Sequence, residues 1–194
     1  TTDAQPLVLR TRNVQSLQAL QSQQEPAWML EASQVLRAHR EIVRIEWRDE
    51  RLNVLAAADS PYQKPLFERL ARSATQSDIQ IVCGVSNRLS GAAYSSSHFW
   101  PQPDGLGLEL IEMCMPANLG AHRSGYLVAT YSLHGILSEL IGKQLSRGQE
   151  VSFSEADGTR LAIYGTSQRS SRVFTAQQLI DLPGNTIVLR LDSW

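Results

Sequence analysis

The stretch that decides the fold is EIVRIEWRDERLNVLAA, residues 41–57. In its first half apolar and charged residues alternate, which predicts a strand with one buried face and one solvent-exposed face. A polar segment at 49–53 predicts a turn, and residues 54–57 predict a second strand. The whole stretch is therefore predicted to form an antiparallel hairpin. The alternating residues are Val43, Arg44, Ile45, Glu46, Trp47 and Arg48.

A similar segment, VSFSEADGTRLA, occupies residues 151–162. Both stretches contain an aromatic residue, a polar segment and then Leu-Ala at the same spacing, with Trp47 in the first and Phe153 in the second. Asp157 and Gly158 supply the positive φ that a tight hairpin turn needs. The repetition either marks a repeated structural unit or reflects the general form of an antiparallel hairpin.

The remaining patterns predict an α+β fold. In the first predicted helix the apolar stripe fits either packing on the core or pairing with a copy of itself. Residues 79–85 alternate in hydrophobicity and favour a strand, with a helix as the alternative. Because helices and strands do not alternate regularly, an antiparallel sheet is expected rather than a doubly wound parallel one. The predicted elements are helices at 11–39, 60–74 and 133–145 and strands at 94–100, 106–115, 125–133 and 187–191.

Composition limits the classes of function. The 194 residues carry 18 Lys and Arg against 19 Asp and Glu, a formal net charge of −1, which gives no electrostatic case for nucleic-acid binding. With 42% hydrophobic residues, the chain is expected to fold around a core. No apolar run approaches the ~20 residues that cross a bilayer. The chain opens TTDAQPLVLR, without an initiator Met or a signal peptide, so we expect a piece of a longer protein whose membrane spans lie outside it.

No motif for catalysis is present: the sequence lacks a Gly-rich phosphate loop, a Walker lysine site, HExxH and GxSxG. We therefore predict no catalytic residue, no metal and no cofactor. Cys83 and Cys114 lack zinc-ligand spacing and are predicted to be buried free thiols, with a disulfide as the alternative. A small hydrolase that pairs one of these cysteines with a histidine is the alternative function from another class.

Several stretches together resemble a known family. The hairpin at 41–57, the helix that starts SPYQKPLFERLARSA and the segment GYLVATYSLHGILSEL are similar to the extracytoplasmic PAS-like (Cache or PDC) sensor domains of bacterial two-component histidine kinases. VSFSEADGTRLA and the terminal LPGNTIVLRLDSW are similar to the end of such domains. The resemblance implies an N-terminal helical segment at 1–40, a PAS-like sensor domain at 41–145 and a small membrane-proximal β subdomain at 146–194. The second hairpin would then open a second, smaller PAS-like unit.

The resemblance also implies a function. The chain would be the periplasmic sensor domain of an inner-membrane histidine kinase, without catalysis of its own. It would bind a small molecule, lie between flanking transmembrane helices and form a homodimer through its N-terminal helix. Both ends of the domain would then lie at the same end of the molecule. The alternatives are a sensor domain of a chemoreceptor or diguanylate cyclase, and a module that dimerises without a ligand.

In PAS-like units the pocket lies between the sheet and the segments that cover one face. In this chain the covering segments resemble SPYQKP and AYSSSHFW, so the resemblance places a ligand site among their polar and aromatic residues and the strands beneath. Lys64 and Arg88 favour a carboxylate or another anion. The alternative is that the aromatic residues belong to the core and the cations are solvated. The predicted site residues are Tyr62, Lys64, Arg88, Tyr94, His98, Trp100, Glu112 and Tyr131.

Overall fold

The structure is a computed structural model, which describes residues 16–17, 27–63, 76–101, 107–118, 124–165 and 174–194. These residues form two antiparallel sheets together with helices, and the predicted α+β class is confirmed. Of the predicted helix at 11–39, the structure describes residues 16–17 and 27–39. Of the predicted helix at 60–74, it describes residues 60–63. Within the first of them, Ser16 and Leu17 are helical, and Leu17 is fully buried.

The larger sheet contains six strands: β1 (Ile42–Asp49), β2 (Val54–Asp59), β3 (Ala93–Tyr94), β4 (His98–Pro101), β5 (Gly107–Asn118) and β6 (Ser124–Ser132). Their order is β2-β1-β6-β5-β3, and β4 pairs with β5 beside this path. Every pairing is antiparallel. The predicted hairpin is confirmed, because Trp47 of β1 lies opposite Ala56 of β2.

The smaller sheet contains β7 (Gln149–Ser154), β8 (Arg160–Gly165), β9 (Phe174–Leu182) and β10 (Asn185–Ser193), in the order β8-β7-β10-β9. The segment at 151–162 forms the predicted hairpin, with Gly158 at a φ of +91°. The boundary predicted between residues 145 and 146 falls between the strands of the two sheets. The division into a sensor domain and a membrane-proximal subdomain stays a prediction.

One face of the large sheet, which we call the core face, carries the main hydrophobic core. Helix α1 (Ala27–Ala38) packs on it, and the ring of Trp28 stacks on that of Trp47 with 5.7 Å between centroids. Phe153 and Ile187 of the small sheet belong to the same core. The core-face residues of the large sheet include Ile45, Trp47, Ile111, Met113, Met115, Leu127, Ala129 and Tyr131.

The segment for which a strand was favoured is a helix, α2 (Gln76–Leu89). Its buried residues, Ile79, Val82, Cys83 and Ser86, recur at helical spacing, whereas Ile81, which the alternating pattern placed inside, is 68% exposed. The strand prediction is wrong because the pattern compared only every second residue. Ser86 is polar, so the sequence did not mark it as a buried position of the helix. Its buried hydroxyl donates a hydrogen bond to the carbonyl of Gly91.

Cys83 and Cys114 form a disulfide that joins α2 to β5, with Cα atoms 5.3 Å apart. The prediction of two free thiols is therefore wrong. The disulfide lies in a small hydrophobic cluster with Ile79, Val82 and Val128. Because these two residues are all the cysteines of the chain, no thiol is left to act as the nucleophile of a Cys–His hydrolase.

The predicted helix at 133–145 is confirmed, although its geometry changes along its length. It begins as helix α3 (Leu133–Ile136), where the Ser132 hydroxyl accepts a hydrogen bond from the Gly135 amide at 3.1 Å. It continues as a π-helical turn (Leu137–Ile141) and ends in a 3₁₀ turn (Gly142–Gln144). This segment connects β6 of the large sheet to β7 of the small one.

The turn between β9 and β10 docks on β3 of the large sheet. The amide of Tyr94 donates to the carbonyl of Pro183 at 2.7 Å, and the side-chain amide of Asn185 donates to the carbonyl of Ser95 at 2.9 Å. Gly184 has a φ of +91°, and a Cβ there would lie 2.7 Å from the carbonyl oxygen of Tyr94. The turn therefore requires glycine both for its backbone conformation and for its close approach to β3.

Candidate functional site

The face of the large sheet opposite the core face carries a cluster of charged side chains, and we call it the polar face. Strand register sets a row of four polar residues across four adjacent strands: Asp59 lies opposite Arg44, Arg44 opposite Thr130, and Thr130 opposite Glu112. Adjacent strands lie roughly 4.8 Å apart, so neighbouring members of the row are within reach of one another. The row joins residues that are 15 to 86 positions apart along the chain.

Two arginines and two carboxylates hold the β1 side of the polar face together. Arg44 donates from Nε to Glu46 Oε2 at 2.9 Å and from Nη1 to both oxygens of Asp59 at 3.0 Å. Arg48 donates to Glu46 Oε1 from Nε at 3.1 Å and from Nη2 at 2.9 Å. Its Nη1 donates to the carbonyl of Leu52 at 2.8 Å. Each carboxylate is thus paired with an arginine.

This charged face is buried, which corrects the prediction that it is exposed to solvent. Glu46 and Arg48 are 0% and 1% exposed, and Arg44 has a side-chain exposure of 16%. Buried charges are stable only when they are paired and hydrogen-bonded, and the network meets that condition. Alternation along β1 identified the two faces correctly, but it could not show that the charged one is also covered.

Glu112 lies at the other end of the row and is fully buried. The hydroxyl of Thr130 donates to its Oε2 at 2.7 Å, and Nε2 of His98 lies 3.9 Å from its Oε1. Its backbone amide donates to the hydroxyl of Ser95 at 2.9 Å, and its carbonyl accepts from the amide of Ser95 at 2.8 Å. Glu112 is therefore held from three sides, by β6, by β4 and by the segment after β3.

Apolar groups border the polar row. Val43, Trp100 and Leu110 form a buried cluster on the side of the row away from α2, and the His98 and Trp100 rings meet edge to face at 6.5 Å. On the other side, the disulfide holds α2 against β5. The row thus combines groups of both charges with apolar groups on either side.

The structure brings three of the predicted site residues together and separates the others. His98, Trp100 and Glu112 share the polar face. Arg88 is exposed in the last turn of α2. Tyr62 is 44% exposed in the turn after β2. Its hydroxyl donates to the carbonyl of Arg37 near the end of α1 at 2.8 Å, and the Arg40 guanidinium lies over its ring. Lys64 lies outside the described residues.

Tyr94 and Tyr131 lie on the core face, as the alternative interpretation held for aromatic residues in this region. Tyr131 is buried, and its hydroxyl has no hydrogen-bond partner among the described residues. Burial raises the pKa of Tyr131 well above its usual value of 10.0, and the nearby Tyr94 and Glu41 raise it further. Ligand binding by any of the eight predicted residues stays a prediction.

Several residues of the polar face were not among those predicted: Arg44, Glu46, Arg48, Asp59 and Thr130. The signal that could have found them is the run of three charges at alternate positions in β1. Within the described ranges, no group of three or more His, Cys, Asp or Glu side chains is placed to hold a metal ion. In the same part of the chain, no helix is both long and apolar enough to cross a membrane.

Several solved structures have the same architecture as this chain. An extracellular ligand-binding receptor from Desulfohalobium retbaense DSM5692 superimposes with a TM-score of 0.60 and 13% identity over 97% of this chain. The ligand-binding domain of the Pseudomonas aeruginosa PAO1 amino acid chemoreceptor PctC, solved with GABA, gives 0.55 and 12% over 98%. The extracellular domain of the candidate histidine kinase vpHK1S-Z8 gives 0.55 and 13% over 99%. The chain has the Cache/PAS-like fold of these domains.

The three structures differ in how much of their own length is matched. The chain spans 93% of the PctC domain and 88% of the vpHK1S-Z8 domain, but 37% of the Desulfohalobium receptor. No protein-family model and no curated protein sequence matches the chain. At identities of 12–13% the likeness establishes the fold.

Proposed function

We propose that the chain is the periplasmic ligand-sensing domain of a bacterial membrane-bound signalling protein, and that its ligand binds on the polar face. The likeness in fold to extracellular sensor domains supports the first part, because it extends over nearly the whole chain. The row from Asp59 to Glu112 carries the second part. It places a partly buried Arg44 and a fully buried Glu112 on one face of the sheet, beside an apolar cluster.

For the output module we propose a histidine kinase first and a chemoreceptor second. The family resemblance favours the kinase, whereas the structures of similar fold include both a candidate kinase and a chemoreceptor. In either case flanking transmembrane helices would connect the domain to the cytoplasm, and the N-terminal helices of two copies would pair. Expressing the full-length protein with its flanking segments and measuring ligand-dependent autophosphorylation tests the kinase assignment. A ligand-responsive protein without kinase activity would contradict it.

For the ligand we propose a small molecule that carries both an ammonium and a carboxylate group. Arg44 brings a positive charge and Glu112 a negative charge to the same face, with Thr130 between them, and a ligand carboxylate and ammonium would join these existing pairs. The anion predicted from Lys64 and Arg88 is, in this proposal, one of the two charged groups of the ligand. That PctC is an amino acid chemoreceptor solved with GABA supports the choice of this class.

A thermal-shift screen with matched compounds tests the proposal. Each amino acid is compared with the amine that lacks its carboxylate and with the acid that lacks its amine. A true ligand at about 100 times its Kd stabilises the fold by roughly 2.7 kcal/mol. We expect stabilisation by some amino acids and none by their one-charge analogues. Stabilisation only by acids, or only by sugars, would exclude a zwitterionic ligand.

Two variants on one strand locate the site. Glu112→Gln removes a charge from the polar face, and Glu109→Gln makes the same change three residues earlier on the opposite face of β5. We expect the first to weaken binding of the identified ligand by at least about tenfold, in line with loss of a charge-assisted hydrogen bond. The second should leave Kd unchanged, as measured by calorimetry. Equal effects of both variants would rule out the polar face as the site.

A further inference from the structure

The small sheet has an open cavity on the face that it turns toward the segment after α3. The cavity has a volume of about 410 Å³, within the range of ligand pockets, roughly 300–1,000 Å³. Its apolar lining comes from the π-helical and following turns and from strands β7, β9 and β10: Ile141, Leu145, Val151, Ala176, Leu189 and Leu191. All of these residues belong to parts of the chain separate from the polar face.

Strand register explains why these side chains meet. Leu191 of β10 lies opposite both Val151 of β7 and Ala176 of β9, and Leu189 lies opposite Gln178. Further along the same face, Phe153 and Ile187 are buried in the main core. The face thus changes from a packed core at one end to a cavity at the other. The cavity is open to solvent, and Gln144 and Gln177 in its lining are exposed.

The cavity contains amide groups but no charged side chain among its described lining. Its polar lining consists of Gln144, Gln149, Gln177 and Gln178. Gln149 is held in place, since its Oε1 accepts from the amide of Ser146 at 2.7 Å. A glutamine amide has two N–H donors, and in the described chain the Nε2 of Gln149 makes one long contact, 3.5 Å to Ser193 Oγ. It therefore has a donor available for a ligand.

The charged residues of β7, β8 and β10 lie on the other face of this sheet, where they are paired. Arg190 and Asp192 alternate with the cavity-lining leucines of β10, and Nε of Arg190 lies 2.9 Å from Oδ2 of Asp192. Glu150 lies 3.4 Å from Arg160 on that same outer face. A charged ligand in the cavity would lose part of its hydration without gaining an opposite charge, whereas a neutral ligand would pay no such cost.

From these observations we propose that the small sheet holds a second small-molecule site, specific for an uncharged and mostly apolar molecule with one or two hydrogen-bonding groups. An amide, an alcohol or an ester with a compact ring or a short alkyl chain fits this description. The site would be independent of the polar face, which carries groups of both charges. The domain would thereby have one site for a charged ligand and one for a neutral ligand.

The test uses probes in matched neutral and charged pairs: benzamide with benzoate, hexanamide with hexanoate, and cyclohexanol with cyclohexylamine. Binding to the isolated domain is measured by saturation-transfer NMR and titration, and the position of the bound probe by crystallography. We expect neutral members to occupy the cavity and to bind at least about tenfold more tightly than their charged partners. Equal binding within each pair, or no neutral probe in the cavity at its solubility limit, would overturn the proposal.

A variant that fills the cavity gives an independent check. Ala176→Leu adds three carbon atoms to the lining and should abolish binding of the neutral probes. The matched control, Ala38→Leu, makes the same change at an exposed position at the end of α1 and should leave Kd unchanged. If Ala176→Leu lowers the thermal midpoint, the smaller Ala176→Val is used, with a proportionate loss of affinity expected. Unaltered binding in a folded cavity variant would contradict the site, and it would leave the polar-face proposal untouched.

Discussion

The polar face of the large sheet and the cavity of the small sheet arise from the same strand alternation, yet they differ in charge. On the polar face, Glu46 and Arg48 are buried with their charges paired. Beside the cavity, the charges of β10 lie on the outer face and the inner one keeps Leu189 and Leu191. Both sheets bury charged side chains on the face away from the main core and pair them there, as Glu46 with Arg48 and Asp192 with Arg190 show. The small sheet differs in that its opposite face lines a cavity with apolar and amide groups.

The largest expected effect comes from breaking the buried network. Glu46→Gln removes the carboxylate that Arg44 and Arg48 share and leaves buried positive charge uncompensated. We expect a loss of about 3–5 kcal/mol in the free energy of unfolding, measured by urea denaturation. The matched control is Glu139→Gln, in an exposed pair with Lys143, which should change stability by less than about 1 kcal/mol. Similar losses in both variants would mean that burial of the network contributes nothing.

Removing the disulfide should weaken the large sheet alone. The bridge spans 31 residues, and the loop-entropy relation assigns it about 3–4 kcal/mol for a loop of that length. In a Cys83→Ala, Cys114→Ala double variant, we expect amides of α2 and β5 to lose protection from hydrogen exchange. Amides of β7 and β10 should keep theirs in the native state. A uniform loss across both sheets would show that they unfold as one unit.

A smaller effect is expected at Tyr131, in the core to which both sheets contribute. Because the folded-state pKa is raised, the folded protein keeps the phenol proton, and this contribution to stability is present below pH 10 and lost as the pH rises above it. Tyr131→Phe removes a buried hydroxyl without a described partner. It should change stability at pH 7 by no more than about 1 kcal/mol, in the stabilising direction.

Denaturation at pH 7 and above pH 10 checks the Tyr131 prediction. The gap in stability between the Phe variant and the parent should widen with alkaline pH. A marked destabilisation by Phe at pH 7 would instead mean that the hydroxyl is hydrogen-bonded, and the prediction would fail.

The smallest effect is expected at Glu109, on β5. Partial burial raises its pKa, a hydrogen bond from Ser97 opposes the shift, and the negative charge of Glu155, after β7, adds to it. Stability linked to Glu109 is therefore present below its unfolded pKa and lost as the pH rises through the folded one. Glu109→Gln should raise the thermal midpoint slightly at neutral pH and leave it unchanged near pH 4. An equal shift at both pH values would contradict this linkage.

Local patterns in the sequence predicted most of the elements. Alternation predicted that β1 and β2 form a hairpin, and Gly158 marked the turn of the second hairpin. The failure at 76–89 has a physical cause: Ile79, Ile81 and Cys83 satisfy a two-residue period, whereas the buried set follows the helical one. Short apolar runs can satisfy both periods, and tertiary packing then decides between them.

The site was less predictable than the fold. Asp59, Arg44 and Glu112 share a row because β6 lies between β1 and β5, and strand order cannot be obtained from the periodicity of any one strand. Tyr131 pairs with Ile111 and therefore lies on the core face, whereas Glu112 pairs with Thr130 on the polar face. Only the register between β5 and β6 shows this difference. Whether a charged face is exposed to solvent also depends on the elements that cover it. Arg48, for example, lies on the charged face of β1 and is 1% exposed.

The docked turn between β9 and β10 gives the small sheet a fixed point on the large one. The turn is fixed to β3 by hydrogen bonds to Tyr94 and Ser95, and Ser95 in turn bonds to the backbone of Glu112 on the polar face. From this pivot β10 runs nine residues, to Ser193, a length of about 30 Å at ~3.3 Å per residue. Over such an arm, a tilt of about 5° at the pivot moves the far end by about 2.5 Å. A displacement too small to disturb the row beside Glu112 would thus be several times larger at Trp194.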